Sequence, residues 1–471
     1  MQIHQEALKE AKAAPLWYDP DIVPEVLQAL TSDQQCELLI VGGGFTGMWA
    51  ALQVLERKPE ADIILIEQTF IADGASGRCG GFLNTSLAHG ETNTDAHFPG
   101  ESARLEELGT QNMKEFLETL DRYNIDARYE QTGSTSVALD EDSAGRLREE
   151  YEAAKAEGAE VVWLDKERMR EEVDSPTFYA GLRYLDGQDG VIDPARLCWG
   201  LKALLLRLGV RIFEGTKLVD FKPVAKSSMK VICSGGVIHC DKMLMATNAF
   251  YNKIGRIRRS TIPVWDYQIA TEPLTEEQRK AIGWFQSRHA LSDYNNMFHY
   301  FRLTKDDRIT YGGGGAVRYY FNNGTDMKFM DAPARYEQLA EEFFETFPQL
   351  EELGVKFSHK WGGIIATSTR FCMVPGTAYD GRVAWSVGYT GHGVGASRFG
   401  ARIAIELLGY EPSDILELQF VTKRALPWAP EPFRWFGVKL TQLELIRADK
   451  NGGKRGLWLK LLDFLGLGFT C

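Results

Sequence analysis

The chain offers no metal-binding spacing, no disulfide framework, no long apolar run and no excess of positive charge. Its seven cysteines (Cys36, Cys79, Cys198, Cys233, Cys240, Cys372 and Cys471) are scattered and form no C-x-x-C pair. That pattern excludes a zinc ribbon or a small disulfide scaffold and fits a reducing, cytoplasmic setting. No stretch is long enough to span a bilayer, and residues 1–30 carry no apolar run of the signal-peptide kind. The net charge of −12 argues against a nucleic-acid partner and against general attraction to anionic membranes. It leaves room for an anionic substrate, since one local arginine outweighs a diffuse field. No repeat of solenoid length is visible, and no constellation resembles a serine or cysteine hydrolase. What remains is 471 residues of ordinary globular composition, 44% hydrophobic and 25% charged, enough for two or more lobes.

The informative stretch is Cys36–Gln68. Leu38–Val41 is a short apolar strand, Gly42, Gly44 and Gly47 give G-x-G-x-x-G, and Met48–Arg57 follows a helical pattern that Lys58-Pro59 ends. Ile63–Ile66 is a second strand closed by Glu67, 20 residues after Gly47. Each part suits a dinucleotide. Gly42 permits the tight turn, Gly44 the approach of a pyrophosphate, and Gly47 the close packing of helix on strand. The helix N-terminus, roughly half a positive charge, holds phosphate, and Glu67 can accept from a ribose diol.

The loop Gly74-Ala75-Ser76-Gly77-Arg78-Cys79-Gly80-Gly81 follows, with little bulk, so backbone must come near something flat or charged. Residues 101–125 and 144–157 read as helices, and 128–139 and Tyr179–Tyr184 as strands. Asp186–Pro194 is a turn in which Asp193 and Pro194 start a helix over Ala195–Leu208. Strands are predicted at Val210–Phe213, Lys217–Phe221, Met229–Cys233, Val237–Cys240 and Lys242–Ala246, the last ending in Thr247-Asn248. The α/β pattern resumes there as if one domain had been interrupted by a first insertion, and a second, from Arg256 to about Lys360, holds strand-like pieces and a helix over Arg335–Phe347. From Trp361 the first pattern resumes. Val383–Val387 is a strand, Gly388-Tyr389-Thr390-Gly391-His392-Gly393-Val394-Gly395 a second glycine loop, and Ala396–Leu408 a helix stopped by Gly409.

These motifs, spanning the chain to about residue 410, resemble the glycine oxidase / D-amino-acid oxidase superfamily of FAD-dependent amine oxidoreductases. GASGR-x-GG and the tail after Tyr410 look most like its γ-glutamylputrescine-oxidase-like and aminophosphonate-oxidoreductase branch. The resemblance implies an α/β fold. A Rossmann-type FAD domain would be assembled from three segments (34–90, 186–255 and 361–410). An α+β substrate domain on an antiparallel sheet (91–185 and 256–360), an N-terminal arm (1–33) and a C-terminal extension (411–471) would complete it. It also implies the cofactor contacts. Gly42, Gly44, Phe45, Thr46, Gly47, Glu67 and Gln68 would lie along phosphates and ribose. Ser76, Gly77, Arg78, Cys79, Gly80 and Gly81 would run towards the reactive ring. Val219, Thr247 and Asn248 come from the middle segment, and Gly391, His392, Gly393 and Val394 from the last. The implied reaction passes a hydride from an amine C–H to flavin N5, hydrolyses the imine, and reduces oxygen to hydrogen peroxide. A dehydrogenase feeding a quinone or carrier and a non-catalytic FAD-binding protein are the rival readings.

Hydride transfer needs a shaped pocket and a charge anchor rather than a nucleophile. Arg302, in the strand His299-Tyr300-Phe301-Arg302, is the anchor expected for a carboxylate or phosphonate. Strand alternation places Tyr300 on its face and His299 and Phe301 on the other. His392 is expected to position the ring, and Lys360 to stand as a cation beside N5. Cys372 loosely resembles a position of covalent flavin attachment, although a packed thiol is the expected reading for it and for Cys79. Partners are expected to be a small-molecule amine and molecular oxygen, in a monomer or homodimer. The apolar stripe Leu457–Leu465 in the tail reads as docking onto the protein body or a partner subunit, with a membrane-surface helix as the alternative.

Overall fold

A computed structural model describes residues 2–19, 22–185, 187–225, 228–250, 254–285 and 288–467; Asp186 and Cys471, named above, lie outside the described residues. Two sheets organise the chain. In the first the order is Val374–Ala378, Val383–Val387, Gly236–Met245, Gln34–Val41, Ile63–Ile66, Arg211–Phe213. All neighbours run parallel except the edge strand Val374–Ala378. Its central strands read as continuous apolar runs because both faces are covered. Leu38, Ile40, Ile63 and Leu65 pack in the cluster that holds the helices Phe45–Arg57, Pro194–Arg207 and Gly393–Leu407. Leu39, Val41, Ile64 and Ile66 pack against Leu218, Met229 and Val231 of the hairpin Leu218–Ala225/Ser228–Cys233.

The strand pattern of this sheet departs from expectation in two places. The separate strands Val237–Cys240 and Lys242–Ala246 are one strand, Gly236–Met245, which pairs antiparallel with Ser228–Cys233 and parallel with Gln34–Val41. Its first half is half-solvated, with His239 and Asp241 exposed, so the sequence alternates there and becomes apolar only towards Met245. The strand Val374–Ala378 goes unread because it contains Pro375 and Gly376. Proline is tolerated there because the strand is an edge.

The second sheet runs Val161–Leu164, Ala180–Tyr184, Ser134–Ala138, Ala290–Asp293, His299–Leu303, Ile309–Gly313, Thr261–Thr271. Arg318–Tyr319 and Phe357–Ser368 also pair with Thr261–Thr271. Both insertions thus contribute to one sheet, joined by the parallel pairing of Ser134–Ala138 with Ala290–Asp293. The boundary expected at Trp361 falls inside Phe357–Ser368, a continuous strand that carries the chain from the second sheet back towards the first. Under the helix Pro333–Thr346 the sheet buries an aromatic core including Trp265, Tyr267, Phe301, Tyr311 and Phe343.

The N-terminal arm is held against the body. Trp17 is buried, and Tyr18 donates to the Ala72 carbonyl at 2.7 Å. Further on, Lys202 and Glu214 form a buried ion pair at 2.7 Å, with side-chain exposures of 5% and 1%. Glu214 also accepts from the Leu27 and Ile71 N–H groups, and Lys202 donates to the Glu25 carbonyl. This staple ties the arm to the first sheet. At the other end, the helices Phe433–Asp449 and Leu457–Phe464 form a hairpin whose inner residues Leu445, Ala448 and Leu459 pack with Met297. No helix among the described residues is long and apolar enough to cross a membrane.

Removing one partner of the buried staple strands the other. Lys202→Met should destabilise the protein by ~3–5 kcal/mol in denaturant unfolding, and Lys202→Met with Glu214→Leu should recover most of that loss. Equal stability of the single variant and the wild type would contradict this role.

Candidate functional site

Ligands of parallel α/β sheets bind outside the carboxyl ends of the strands, and here three turns meet at that edge. Gly42, at φ +111°, lies so close to the middle segment that a Cβ there would sit 2.6 Å from the Ala246 carbonyl oxygen. A Cβ on Gly47 would collide with the Gly42 carbonyl. The chain itself therefore demands glycine at both positions. Gly44 differs, because its Cβ would meet only the Ser76 hydroxyl, at 2.9 Å. Its freedom serves whatever approaches the helix, which starts at Phe45 with no side-chain cap. Ser76 accepts from the Phe45 N–H, and Thr46 shares a 2.8 Å hydrogen bond with Tyr389 of the last loop.

Glu67 stands at the end of Ile63–Ile66, accepting from the Gly43 and Thr69 N–H groups at 2.9 and 3.1 Å. Burial raises its pKa above the usual carboxylate value. Gln68 beside it is exposed, and Val219 is 46% exposed on the edge hairpin. After the strand Gly236–Met245, Asn248 accepts from the Gly388 N–H at 3.3 Å, joining the middle and last segments.

His392 precedes the helix Gly393–Leu407, which also lacks a side-chain cap. Its ring stacks on His89 with centroids 3.7 Å apart, and His89 is bonded to the Thr390 carbonyl at 2.7 Å. Burial drives His89 down to about 4 and His392 well below its ordinary value, so both rings are neutral. His392 Nδ1 and the Thr247 hydroxyl are buried with no hydrogen-bond partner among the described residues. Two helix N-termini that their own N-cap residues leave uncapped, orphaned polar atoms and an anchored acid at one sheet edge form a set of groups that fits a flavin dinucleotide.

The loop Gly74–Gly81 lies between this edge and the second sheet. Its carbonyls are claimed one by one. Arg78 O accepts from Gln268 at 2.8 Å and Trp361 at 2.9 Å, Cys79 O from Trp17 at 2.9 Å, and Gly81 O from Ile192 at 2.8 Å and Arg302 at 3.4 Å. The Arg78 side chain is pinned by Asp73 at 2.7 Å and by the Gly362 carbonyl. The Tyr300 ring meets Phe82 edge-on and donates to buried Asp266 at 2.6 Å. Burial holds the Tyr300 phenol protonated and pushes Asp266 up to about 6. Gly312 leaves room for this group, since its Cβ would lie 2.8 Å from the Tyr300 hydroxyl.

Asp266, Gln268, Tyr300 and Arg302 therefore gather at the loop. His299 and Phe301 point to the opposite face, as alternation requires. His299 sits between Asp293 and Glu342, which push it up to about 10, and Phe301 joins the aromatic core. Arg302 is buried, lies 4.8 Å over the Trp17 ring, and is drawn down to about 10 by desolvation. Lys360 is the expected site residue that the structure does not bring here. It occupies the opposite face of its strand from Trp361 and donates to the Leu8 carbonyl of the N-terminal segment at 3.2 Å. Cys79 and Cys372 are both raised to about 11 by burial, so both remain thiols.

Four residues at the loop, Trp17, Asp266, Gln268 and Trp361, are absent from the sequence-based set. The available signal was Asp266 and Gln268 as polar residues two apart in the largely apolar strand Thr261–Thr271.

Residues 37–407 match the family DAO, FAD dependent oxidoreductase. The chain is 28% identical to the gamma-glutamylputrescine oxidoreductase of Escherichia coli (strain K12), over 79% of this chain and 83% of that protein. It is 27% identical to the probable oxidoreductase OrdL of Haemophilus influenzae, over 80% and 84%. Among solved structures, glycine oxidase from Geobacillus kaustophilus superposes with a TM-score of 0.68 at 17% identity, covering 83% of this chain and 99% of that one, a likeness of fold.

The two kinds of glycine separate experimentally. Gly44→Val should yield folded protein without bound FAD, whereas Gly47→Val should fail to fold. Visible absorbance and thermal unfolding of the purified variants check both, and a yellow Gly44→Val protein would contradict this placement.

Proposed function

The chain belongs to the DAO family of FAD dependent oxidoreductases, and from that premise we propose that it oxidises a small primary or secondary amine carrying a carboxylate or phosphonate. Arg302 carries the anionic part of this reading. It is buried, and among the described residues its Nε has no hydrogen-bond partner and its one hydrogen bond is the long contact to Gly81. Asp193 favours its charge from nearby, but that carboxylate caps the helix Pro194–Arg207 through the Arg196 N–H. A desolvated guanidinium with so little compensation is a receptor for an anion. It stands where the loop Gly80–Gly81 would run along the isoalloxazine, so the anion would be held within reach of the ring.

FAD, when bound, supplies the two-electron acceptor for the amine C–H bond. The residues of the chain orient and exclude water. Tyr300 keeps its proton and holds Asp266 by a hydrogen bond, and the amine must arrive neutral because its lone pair assists loss of the hydride. Hydrolysis of the imine product gives an aldehyde or keto compound and ammonia or an amine. The first sheet with its helices would bear FAD and the second sheet would cover the substrate. We take oxygen as the electron acceptor, with hydrogen peroxide as product. Buried free thiols at Cys36, Cys198, Cys233, Cys240 and Cys372 support a reducing, cytoplasmic setting. The name of the Escherichia coli relative supports an amine as the reducing substrate.

An amine and aminophosphonate panel, read by anaerobic loss of the oxidised flavin absorbance, tests the reading. Acidic amines should bleach the flavin, and neutral amines of equal size should do so far less. Arg302→Ala should raise KM for an acidic amine about ten- to a hundredfold, the loss of a charge-assisted contact of ~1.5–3 kcal/mol. An unchanged KM would remove Arg302 from the site. Peroxide formed in air checks the acceptor, and its absence alongside dye reduction would assign the electrons to a carrier.

A further inference from the structure

The C-terminal helical hairpin is apolar on two sides. Its inner side packs on the body through Leu445, Ala448 and Leu459. Among the described residues its outer side is largely exposed. On Phe433–Asp449 the residues Phe433, Phe436, Leu440 and Leu443 are 71%, 62%, 41% and 60% exposed. Their spacing of three and four residues sets them on a single stripe. On Leu457–Phe464 and the residue after it, Leu457, Leu461, Phe464 and Leu465 repeat the pattern, with Leu457 and Phe464 exposed by 89% and 87%. Exposed apolar side chains so concentrated mark a surface that is covered in use.

The charge around the stripes says by what. Residues 423–467 hold nine Lys and Arg against four Asp and Glu, a local +5 in a chain of −12. Lys450, Lys454 and Lys460 are exposed and form no ion pair among the described residues, and Arg447 keeps 76% exposure beside Glu444. A second copy of the chain is a poor occupant. A two-fold contact sets the same patch against itself and would bring two such positive segments together. Apolar stripes fringed by lysine and arginine match instead the interface of an anionic bilayer, where the side chains enter the acyl boundary and the cations meet lipid phosphates. No helix among the described residues is long and apolar enough to cross a bilayer, so the contact argued for is a peripheral one.

We propose that the hairpin 433–465 docks this protein onto anionic lipid surfaces, through its outer phenylalanine and leucine stripes and the lysines beside them. The body is acidic and would be repelled, so docking is confined to this one end of the molecule.

The FAD-loaded protein should co-sediment with vesicles of equal parts phosphatidylglycerol and phosphatidylcholine. It should not do so with phosphatidylcholine alone, and added salt should weaken the binding. Lys450→Glu/Lys454→Glu/Lys460→Glu should weaken it roughly a hundredfold, and Phe436→Ser/Leu443→Ser/Leu461→Ser should abolish it, each with bound FAD retained. The charge variant touches no packed side chain and keeps the test decisive if the serine variant loses FAD. Failure of the wild type to bind anionic vesicles would overturn the proposal. So would sedimentation velocity showing a dimer that the serine substitutions convert to monomer, because the stripes would then belong to a second copy.

Discussion

The contact on which the rest depends is backbone on backbone, with Gly42 seated against the Ala246 carbonyl and Gly47 against Gly42. No side chain fits between them. That closeness aligns the carboxyl end of the strand Gln34–Val41 with the end of Gly236–Met245 and aims the helix Phe45–Arg57, uncapped by its own N-cap residue, at the crevice they share. The same strand Gly236–Met245 pairs with Val383–Val387 and so places the second uncapped helix, Gly393–Leu407, at the same edge. The bond between Thr46 and Tyr389 and the packing of both helices in one core keep the two N-termini together. Electrostatics then follows from geometry. A crevice facing two positive helix ends, with Glu67 held at its side, has the charge pattern that the phosphates and ribose of a dinucleotide call for.

The loop Gly74–Gly81 couples that crevice to the second sheet. Arg78, Cys79 and Gly81 each give a carbonyl to a side chain from outside the loop: Gln268 and Trp361, Trp17, and Arg302 respectively. Small residues leave room for a planar group to come close to the loop, and the borrowed donors hold the loop in place. Arg302 is then part of the wall as well as a free charge, with one side against Trp17 and Gly81. Desolvation lowers its pKa to about 10, still far above neutrality, so it stays cationic.

Much of the first sheet was legible because its determinants are local. Gly42, Gly44, Gly47 and Glu67 lie within one strand–helix–strand unit. Asp193 and Pro194 start their helix as capping chemistry requires, with the Asp193 carboxylate on the Arg196 N–H. The unread parts depend on partners distant in the chain. His239 and Asp241 look like a break until the hairpin that solvates one side of their strand is known. Pro375 hides a strand that only its edge position permits. Lys360 was misplaced because its face follows from the register of Phe357–Ser368 on Thr261–Thr271, which turns Trp361 to the loop and Lys360 to the N-terminal segment. Trp17 reaches Cys79 across 62 residues of sequence, and nothing near either predicts the meeting.

In the proposed complex the flavin ring lies along Gly80 and Gly81, and Arg302 receives the substrate's acidic group. A crystal structure of the FAD-loaded protein soaked with a non-oxidisable carboxylate tests it most directly. Phosphates are expected at the N-terminus of Phe45–Arg57, with the ring against the loop and the carboxylate paired with Arg302. A carboxylate bound elsewhere, with Arg302 still closed on Trp17 and Gly81, would contradict it.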